Sequence, residues 1–223
     1  MYVKLISHST PSDHLGENGV DNLEDIVAFC ARVSNPDNQF NLTTANKLIH
    51  YLIKHKHWSP LEMVSVCMEI GTTRDIARQI LRHRSFSFQE FSQRYADPTK
   101  DLNFETREAR LQDPKNRQNS VATDDLQLQE WWETVQKKVI DECTTAYNWA
   151  IAKGIAKEQA RAVLPEGLIQ SKLYMNGTLR SWCHYIQLRA ATGTQMEHQE
   201  IAVACALELA KIFPMINSLV NEQ

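Results

Sequence analysis

The segment Met63 to Ile70 does most to limit how this chain can fold. It is rich in β-branched and apolar residues and holds no Gly or Pro, so it reads as a largely buried strand ending at Gly71. Most of what surrounds it has helical periodicity instead. Tyr2 to Ser7 reads as a second, short strand. After the natural N-cap pair Asp21-Asn22, Leu23, Ile26, Val27 and Cys30 recur at helical spacing. Thr43-Thr44 opens another helix, with Leu48, Ile49, Leu52 and Ile53 on its buried face. The pattern turns helical again from Thr73 to about Arg82. Residues 85–122 are polar, carry Pro98 and Pro114, and read as a long irregular segment. A long helix follows, with Leu128, Trp132, Val135, Val139, Ala146 and Ala150 on one stripe, and breaks near Gly154. A short helix from Lys157 to Val163 comes next, and Leu168 to Met175 fits strand or helix equally. Helices at about 179–190 and 196–213 close the chain. The expectation is one helix-rich α+β domain over residues 1–223.

Composition supports one sizeable core. With 223 residues, 43% hydrophobic, and only seven Gly and seven Pro, the chain is neither disordered, collagen-like nor a loop-rich disulfide scaffold. Its five cysteines are odd in number and at least 22 apart, without a CxxC pair. That spacing excludes the common zinc motifs and suits a reducing compartment. Cys30, Cys143 and Cys205 lie in apolar helical patterns and read as core packing. The start lacks a signal-like apolar run, and the longest uncharged apolar stretch, Ile201 to Leu207, is far short of the roughly 20 residues a bilayer needs. A soluble, cytoplasmic protein with no membrane partner is expected.

Chemistry concentrates in residues 73–94. These hold five Arg and no Lys against Asp75 and Glu90, a surplus of three positive charges. Arg74, Arg78 and Arg82 form one helical stripe; Ile76, Ala77, Ile80 and Leu81 form another. The plain alternative is a solvated charged face. Such faces usually mix Lys and Glu, however, whereas Arg alone suits planar, bidentate recognition of phosphate or carboxylate. The stripe runs into Arg82-His83-Arg84 and then a loop in which Ser85, Ser87, Gln89, Glu90, Ser92, Gln93 and Arg94 alternate with Phe86, Phe88 and Phe91. A loop of that kind could stack on a ring and hydrogen-bond to its edge, as a nucleotide or flavin site requires. The rest of the chain, with 19 cationic residues against 25 acidic ones, is net −6. A compact cationic site in an acidic body suits small anions and argues against duplex nucleic acid.

Arg82-His83-Arg84, seven residues, then Ser92-Gln93-Arg94 resembles the signature of the flavin-dependent thymidylate synthases. Further stretches are similar to that family: Ala31-Arg32-Val33-Ser34, the histidine-rich turn His55 to Pro60, Gln159 to Pro165 with Arg161, and Gly177 to Arg189. The similarity runs from about residue 31 to 200. It departs in Ala190 to Gln195, which is blander than the family's usual stretch, and 97–125 aligns with no family element.

The resemblance implies an activity, a fold and roles. The family methylates deoxyuridylate (dUMP) to thymidylate (dTMP), with methylenetetrahydrofolate as carbon donor, FAD as redox cofactor and NADPH as reductant. It implies a small, mostly antiparallel sheet and a homotetramer with active sites shared between subunits. Carried over by residue, Gln79, Arg82, Glu90, Phe91, Ser92, Gln93, Arg94, Arg161 and Arg189 would hold dUMP. Ser59, Arg82, His83, Arg84, Glu90, Thr178, Arg180 and His184 would contact FAD. Arg189 would be catalytic, stabilising negative charge on the uracil ring. Arg180 and His184 lie one turn apart on their helix and Arg189 about 180° round from Arg180, so one helix could face two ligands.

Plainer readings stand beside some of these. Ser92 lacks a base at a telling spacing and fits substrate binding better than covalent catalysis. His50, His55 and His57, without Cys or spaced carboxylates, fit exposed helix ends or a flavin-pocket lining better than a metal site. Trp131 and Trp132 fit core or subunit contacts, and Cys183 fits packing. Two other functions compete: a single-strand nucleic-acid module using the Arg and Phe of residues 73–94, and an inactive flavin-binding homologue.

Overall fold

A computed structural model describes residues 1–217. In chain order its elements are β1 (Tyr2–His8), α1 (Asp13–Gly16), α2 (Leu23–Ala31), α3 (Ala45–Lys54), β2 (Ser65–Thr73), α4 (Arg74–Ile80), β3 (Phe86–Glu90), α5 (Pro98–Asp101), β4 (Arg110–Gln112), β5 (Ser120–Ala122), α6 (Leu126–Ala152), α7 (Lys157–Ala160), β6 (Gln170–Thr178), α8 (Leu179–Arg189) and α9 (Met196–Ala210). Four strands form an antiparallel sheet in the order β1-β2-β6-β3. β4 and β5 make a separate hairpin. The helix-rich α+β class with a small antiparallel sheet is therefore as expected.

The sheet is built on the pairing of β2 with β6, from Ser65 opposite Thr178 to Thr73 opposite Gln170. Side chains alternate across a strand. Val66, Met68 and Ile70 of β2 and Leu173 and Met175 of β6 are buried in the core, while Cys67, Glu69, Lys172 and Tyr174 on the other face are only half-buried. The apolar face is covered by α2, α3, α4, α8 and α9, through Leu23, Ile49, Ile76, Trp182 and Ile201 among others. Each such side chain, fully buried, contributes about 1.5–3 kcal/mol. Trp182 also ties α8 to the sheet, its Nε1–H donating to the Val66 carbonyl at 2.9 Å.

Four expectations change. β2 does not end at Gly71 but continues to Thr73, because β6 pairs with it as far as Thr73 opposite Gln170; Gly71 is no breaker here but makes room for the Tyr2 ring of β1, which would lie 2.2 Å from a Cβ. Residues 85–122 are not irregular throughout: β3 is a sheet edge paired with β6, and the β4–β5 hairpin follows. The ambiguous region Leu168 to Met175 resolves as strand from Gln170, and that strand runs on to Thr178. The buried stripe of α6 is Gln136, Cys143, Tyr147 and Ala150, not the line through Trp132 and Val139, which are 37% and 43% exposed. A helix of 27 residues turns one face to this chain's core and leaves its more apolar line uncovered. Asn22 caps α2 as expected, accepting from the Asp25 amide at 2.9 Å.

Candidate active site

In two places a strand passes straight into a helix: β2 into α4 at Thr73, and β6 into α8 at Thr178. At the second, the Thr178 hydroxyl accepts from the Ser181 amide at 3.3 Å, satisfying a free N–H of the first turn. The Ser181 hydroxyl donates to the Ser85 carbonyl at 3.2 Å. This ties the start of α8 to the turn after α4, the turn that carries Arg82-His83-Arg84.

The far end of α8 returns to the same turn. The Arg189 Nε–H donates to His83 Nε2 at 3.0 Å. That nitrogen is then an acceptor, so the His83 ring is neutral with its proton on Nδ1. Burial, and secondarily the Arg189 charge, lowers its pKa to about 4. The ring stands edge-on to Tyr185, with centroids 4.9 Å apart. Gln79, one turn earlier on α4, donates from Nε2 to Gln195 Oε1 at 2.7 Å and has His198 Nδ1 3.3 Å from its Oε1. Gln79, His83 and Arg189 thus meet where α4, α8 and α9 pack.

Residues expected to hold FAD gather at the start of α8. His184 packs edge-on against Trp58, centroids 4.5 Å apart. Arg180 pairs with Glu62 of the single helical turn Ser59–Glu62, and Ser59 is exposed beside them. Burial, then the Arg180 charge, lowers the His184 pKa. Arg82 and Arg84 are exposed on the adjoining turn and make no ion pair among the described residues. Free guanidinium groups, hydroxyls and an aromatic edge are a donor set that fits the pyrophosphate and rings of a dinucleotide.

The other half of the expected dUMP set lies past the far end of β3. The Phe91 amide donates to the Lys172 carbonyl at 2.8 Å, and the Ser92 carbonyl accepts from the Tyr95 and Ala96 amides, both at 3.1 Å. The turn so formed exposes Arg94, which lies 3.5 Å from Glu158. Lys157 reaches the Tyr95 carbonyl at 2.9 Å, so α7 and Arg161, which directly follows it, flank this turn. Gln93 is buried, and its Nε2 has no hydrogen-bond partner among the described residues. The Glu90 carboxylate is engaged within the chain: it accepts from the Ser171 hydroxyl at 2.7 Å, pairs with Arg78 and lies 3.6 Å from Arg74. Two of the three stripe arginines therefore hold Glu90, and only Arg82 is open to a ligand.

The aromatic loop is also reassigned. Phe86 is buried, 5.0 Å from Trp182 and 6.0 Å from Tyr185 by ring centroids, and Phe88 packs half-buried on the core. Neither of these two rings is free to stack on a base, as a single-strand module would require of them. Cys183 and Cys205 are buried, and burial raises both thiols, Cys183 to about 12. His50, His55 and His57 are exposed.

Sequence reasoning missed Tyr185, Gln195, Glu197 and His198, and Arg107 and Arg110 behind them. Arg110 pairs with Glu197. Arg107 donates to both Asp75 carboxylate oxygens, at 2.7 and 2.9 Å, and to Thr73 Oγ1 at 2.9 Å. The signal was present in the spacing: Glu197 and His198 precede Ile201, Ala202 and Cys205 on the buried face of α9. Two ionisable residues on an apolar helical face call for partners.

Residues 18–215 match the model of the family described as thymidylate synthase complementing protein. The chain is 48% identical over 216 residues to a probable flavin-dependent thymidylate synthase of Paramecium bursaria Chlorella virus 1, covering 97% of each. It is 49% identical over 193 residues to the flavin-dependent thymidylate synthase of Synechocystis sp., covering 86% of this chain and 87% of the relative. In fold it is similar to the crystal structure of the UMP/dUMP methylase PolB from Streptomyces cacaoi bound with 5-Br dUMP. The TM-score there is 0.78 at 24% identity, over 99% of this chain and 94% of that one.

Proposed function

We propose, for a chain that belongs to the flavin-dependent thymidylate synthases (the thymidylate synthase complementing protein family), an active site centred where α4, α8 and α9 meet. The enzyme methylates dUMP to dTMP, with methylenetetrahydrofolate giving the carbon and NADPH the reducing equivalents through FAD.

Arg189 is the catalytic residue of this reading. Its guanidinium faces negative charge that develops on the uracil ring, and stabilising that charge makes the 5-carbon nucleophilic without a protein nucleophile. The observation that carries this is the Arg189 Nε–His83 Nε2 hydrogen bond. It uses one donor to fix the guanidinium plane and leaves the terminal nitrogens for the ring. His83 accepts this bond because its ring is neutral. Gln79 lies on α4 and Arg82 on the turn that directly follows it. Ser92, Arg94 and Arg161, with Phe91 and Gln93 shaping the turn, supply phosphate donors. Glu90 acts through its ion pairs, seating that turn on β6.

FAD, when bound, supplies the reducing equivalents. Ser59, Arg82, His83, Arg84, Thr178, Arg180 and His184 would hold it, through the exposed donors and the Trp58–His184 edge.

Two features support a homotetramer with shared sites. The dUMP residues lie at the two ends of β3, so a second chain can bring matching halves together. On α6, Trp131 and Trp149 are 61% and 60% exposed, and the Trp132–Val139 line continues that apolar face.

Purified protein should be yellow with FAD, oxidise NADPH and release the 5-hydrogen of dUMP only with methylenetetrahydrofolate present, and light scattering should give four chains. A protein that cannot be loaded with FAD contradicts the enzyme reading; a single-chain mass contradicts the shared site.

A further inference from the structure

The hydrogen bonds behind Gln79 run in one direction, and Glu197 sets it. Burial by itself would raise the Glu197 carboxyl, but its own backbone amide, Gln195 and Arg110 outweigh that and hold it below the usual range. An ionised carboxylate only accepts, so Gln195 must turn its amide nitrogen toward it: Nε2 donates to Glu197 Oε2 at 2.9 Å. Gln195 is then left with its Oε1 toward Gln79, whose Nε2 donates at 2.7 Å. The Gln79 oxygen therefore faces His198 and requires a donor there. His198 Nδ1 carries the proton and donates at 3.3 Å, while His198 Nε2 accepts the Tyr185 hydroxyl at 3.2 Å. His198 is wholly buried; burial, then the Arg189 charge, keeps it neutral with a pKa of about 3.

We infer that His198, acting with Gln195, is a positioning residue that fixes which end of the Gln79 amide is offered to dUMP. The inference rests on the reading of Gln79 as a dUMP contact. An amide has two N–H groups and two lone pairs. The relay engages one of each, so one donor and one acceptor remain, in an order that cannot reverse. If the amide flipped, Gln79 would oppose donor to donor at the ligand, at a cost of about tenfold in binding.

His198→Asn and His198→Gln separate this role from mere packing. The Asn amide nitrogen takes the place of Nδ1 and still donates to Gln79. The Gln amide reaches the Nε2 position near Tyr185 and leaves Gln79 unheld. The expected result is a dUMP KM raised about tenfold in His198→Gln and within about threefold of wild type in His198→Asn. FAD content should be equal in the two, and the difference between them should vanish in a Gln79→Ala background. Equal KM values for both variants with Gln79 intact, whether normal or raised, would show that His198 only fills space and would overturn the inference. Gln79→Ala alone with an unchanged dUMP KM would overturn it too, at the level of the reading beneath it. That result needs no change at His198, so the two failures are distinguishable.

Discussion

His83 and His198 stand 6.3 Å apart by ring centroids, and both are kept neutral beside a fixed Arg189. Two neutral histidines, His198 buried and His83 half-buried, have a consequence for stability. In the unfolded chain each takes up a proton near its ordinary pKa of about 6.5. In the fold that uptake is delayed to about 4 for His83 and about 3 for His198. Between those limits the unfolded state binds more protons, so stability is full above about pH 6.5 and falls as the pH drops toward 4. Denaturant midpoints measured from pH 7.5 to 5 should decline in the wild type and decline less in His198→Asn; parallel curves would contradict this. At this scale the sequence was a guide to which residues meet: it singled out His83 and Arg189, which the structure brings into hydrogen-bond contact. It was a poor one for Gln195, because which atom of an amide donates is decided by Glu197 and only becomes visible when α9 packs on α4.

β3 shows how an element can be misread by its polarity. The alternation of Phe86 and Phe88 with Ser87 and Gln89 is the period-2 pattern of an edge strand. Its polar half suggested a loop, and burial of Phe86 decides otherwise. That strand is seated by a small residue opposite it: a Cβ on Gly177 would lie 2.4 Å from Phe86 Cδ1, and Phe86 is itself wedged against Trp182 and Tyr185. Gly177→Ala should therefore cost about 1–3 kcal/mol, read as a lower denaturant midpoint. Gly167→Ala, with nothing within 4 Å of its Cβ, should stay near wild type. Equal midpoints for the two would mean β3 yields freely. The segment 97–125, in which the sequence showed no legible motif although the family match spans it, also gains a role here. Arg107 bonds to Asp75 at the start of α4 and Arg110 to Glu197 at the start of α9, so the segment locks those two helices at the site. Ion pairs of that kind leave no periodic trace in a sequence.

Across the whole molecule, charge and apolar surface divide the labour. Five arginines between residues 73 and 94 sit in an otherwise acidic body. Arg74 and Arg78 share the single charge of Glu90, Arg74 also pairs with Glu166, and Arg94 lies beside Glu158, so of the five only Arg82 and Arg84 have no acidic partner among the described residues. The long α6 adds apolar surface instead: Trp131 and Trp149 are exposed, and Trp131 and Trp132 line a cavity together with Gln195 and Met196. Its stripe was legible as apolar, but a helical pattern alone cannot say whether it packs on its own chain or on another. The helix-rich α+β class was legible because the β2 run and the helical periods are local signals. The order β1-β2-β6-β3 was not, since it joins strands up to a hundred residues apart.

The central claim is that Arg189, held by His83, activates the uracil ring. It is tested most directly by release of the 5-hydrogen of dUMP from FAD-loaded Arg189→Ala protein in the presence of methylenetetrahydrofolate and NADPH. FAD should be retained at the wild-type level, because the residues assigned to it lie on the α8 start and the Arg82–Arg84 turn, while hydrogen release should fall by about a hundredfold or more. Hydrogen release close to that of the wild type, with FAD bound, would contradict the account.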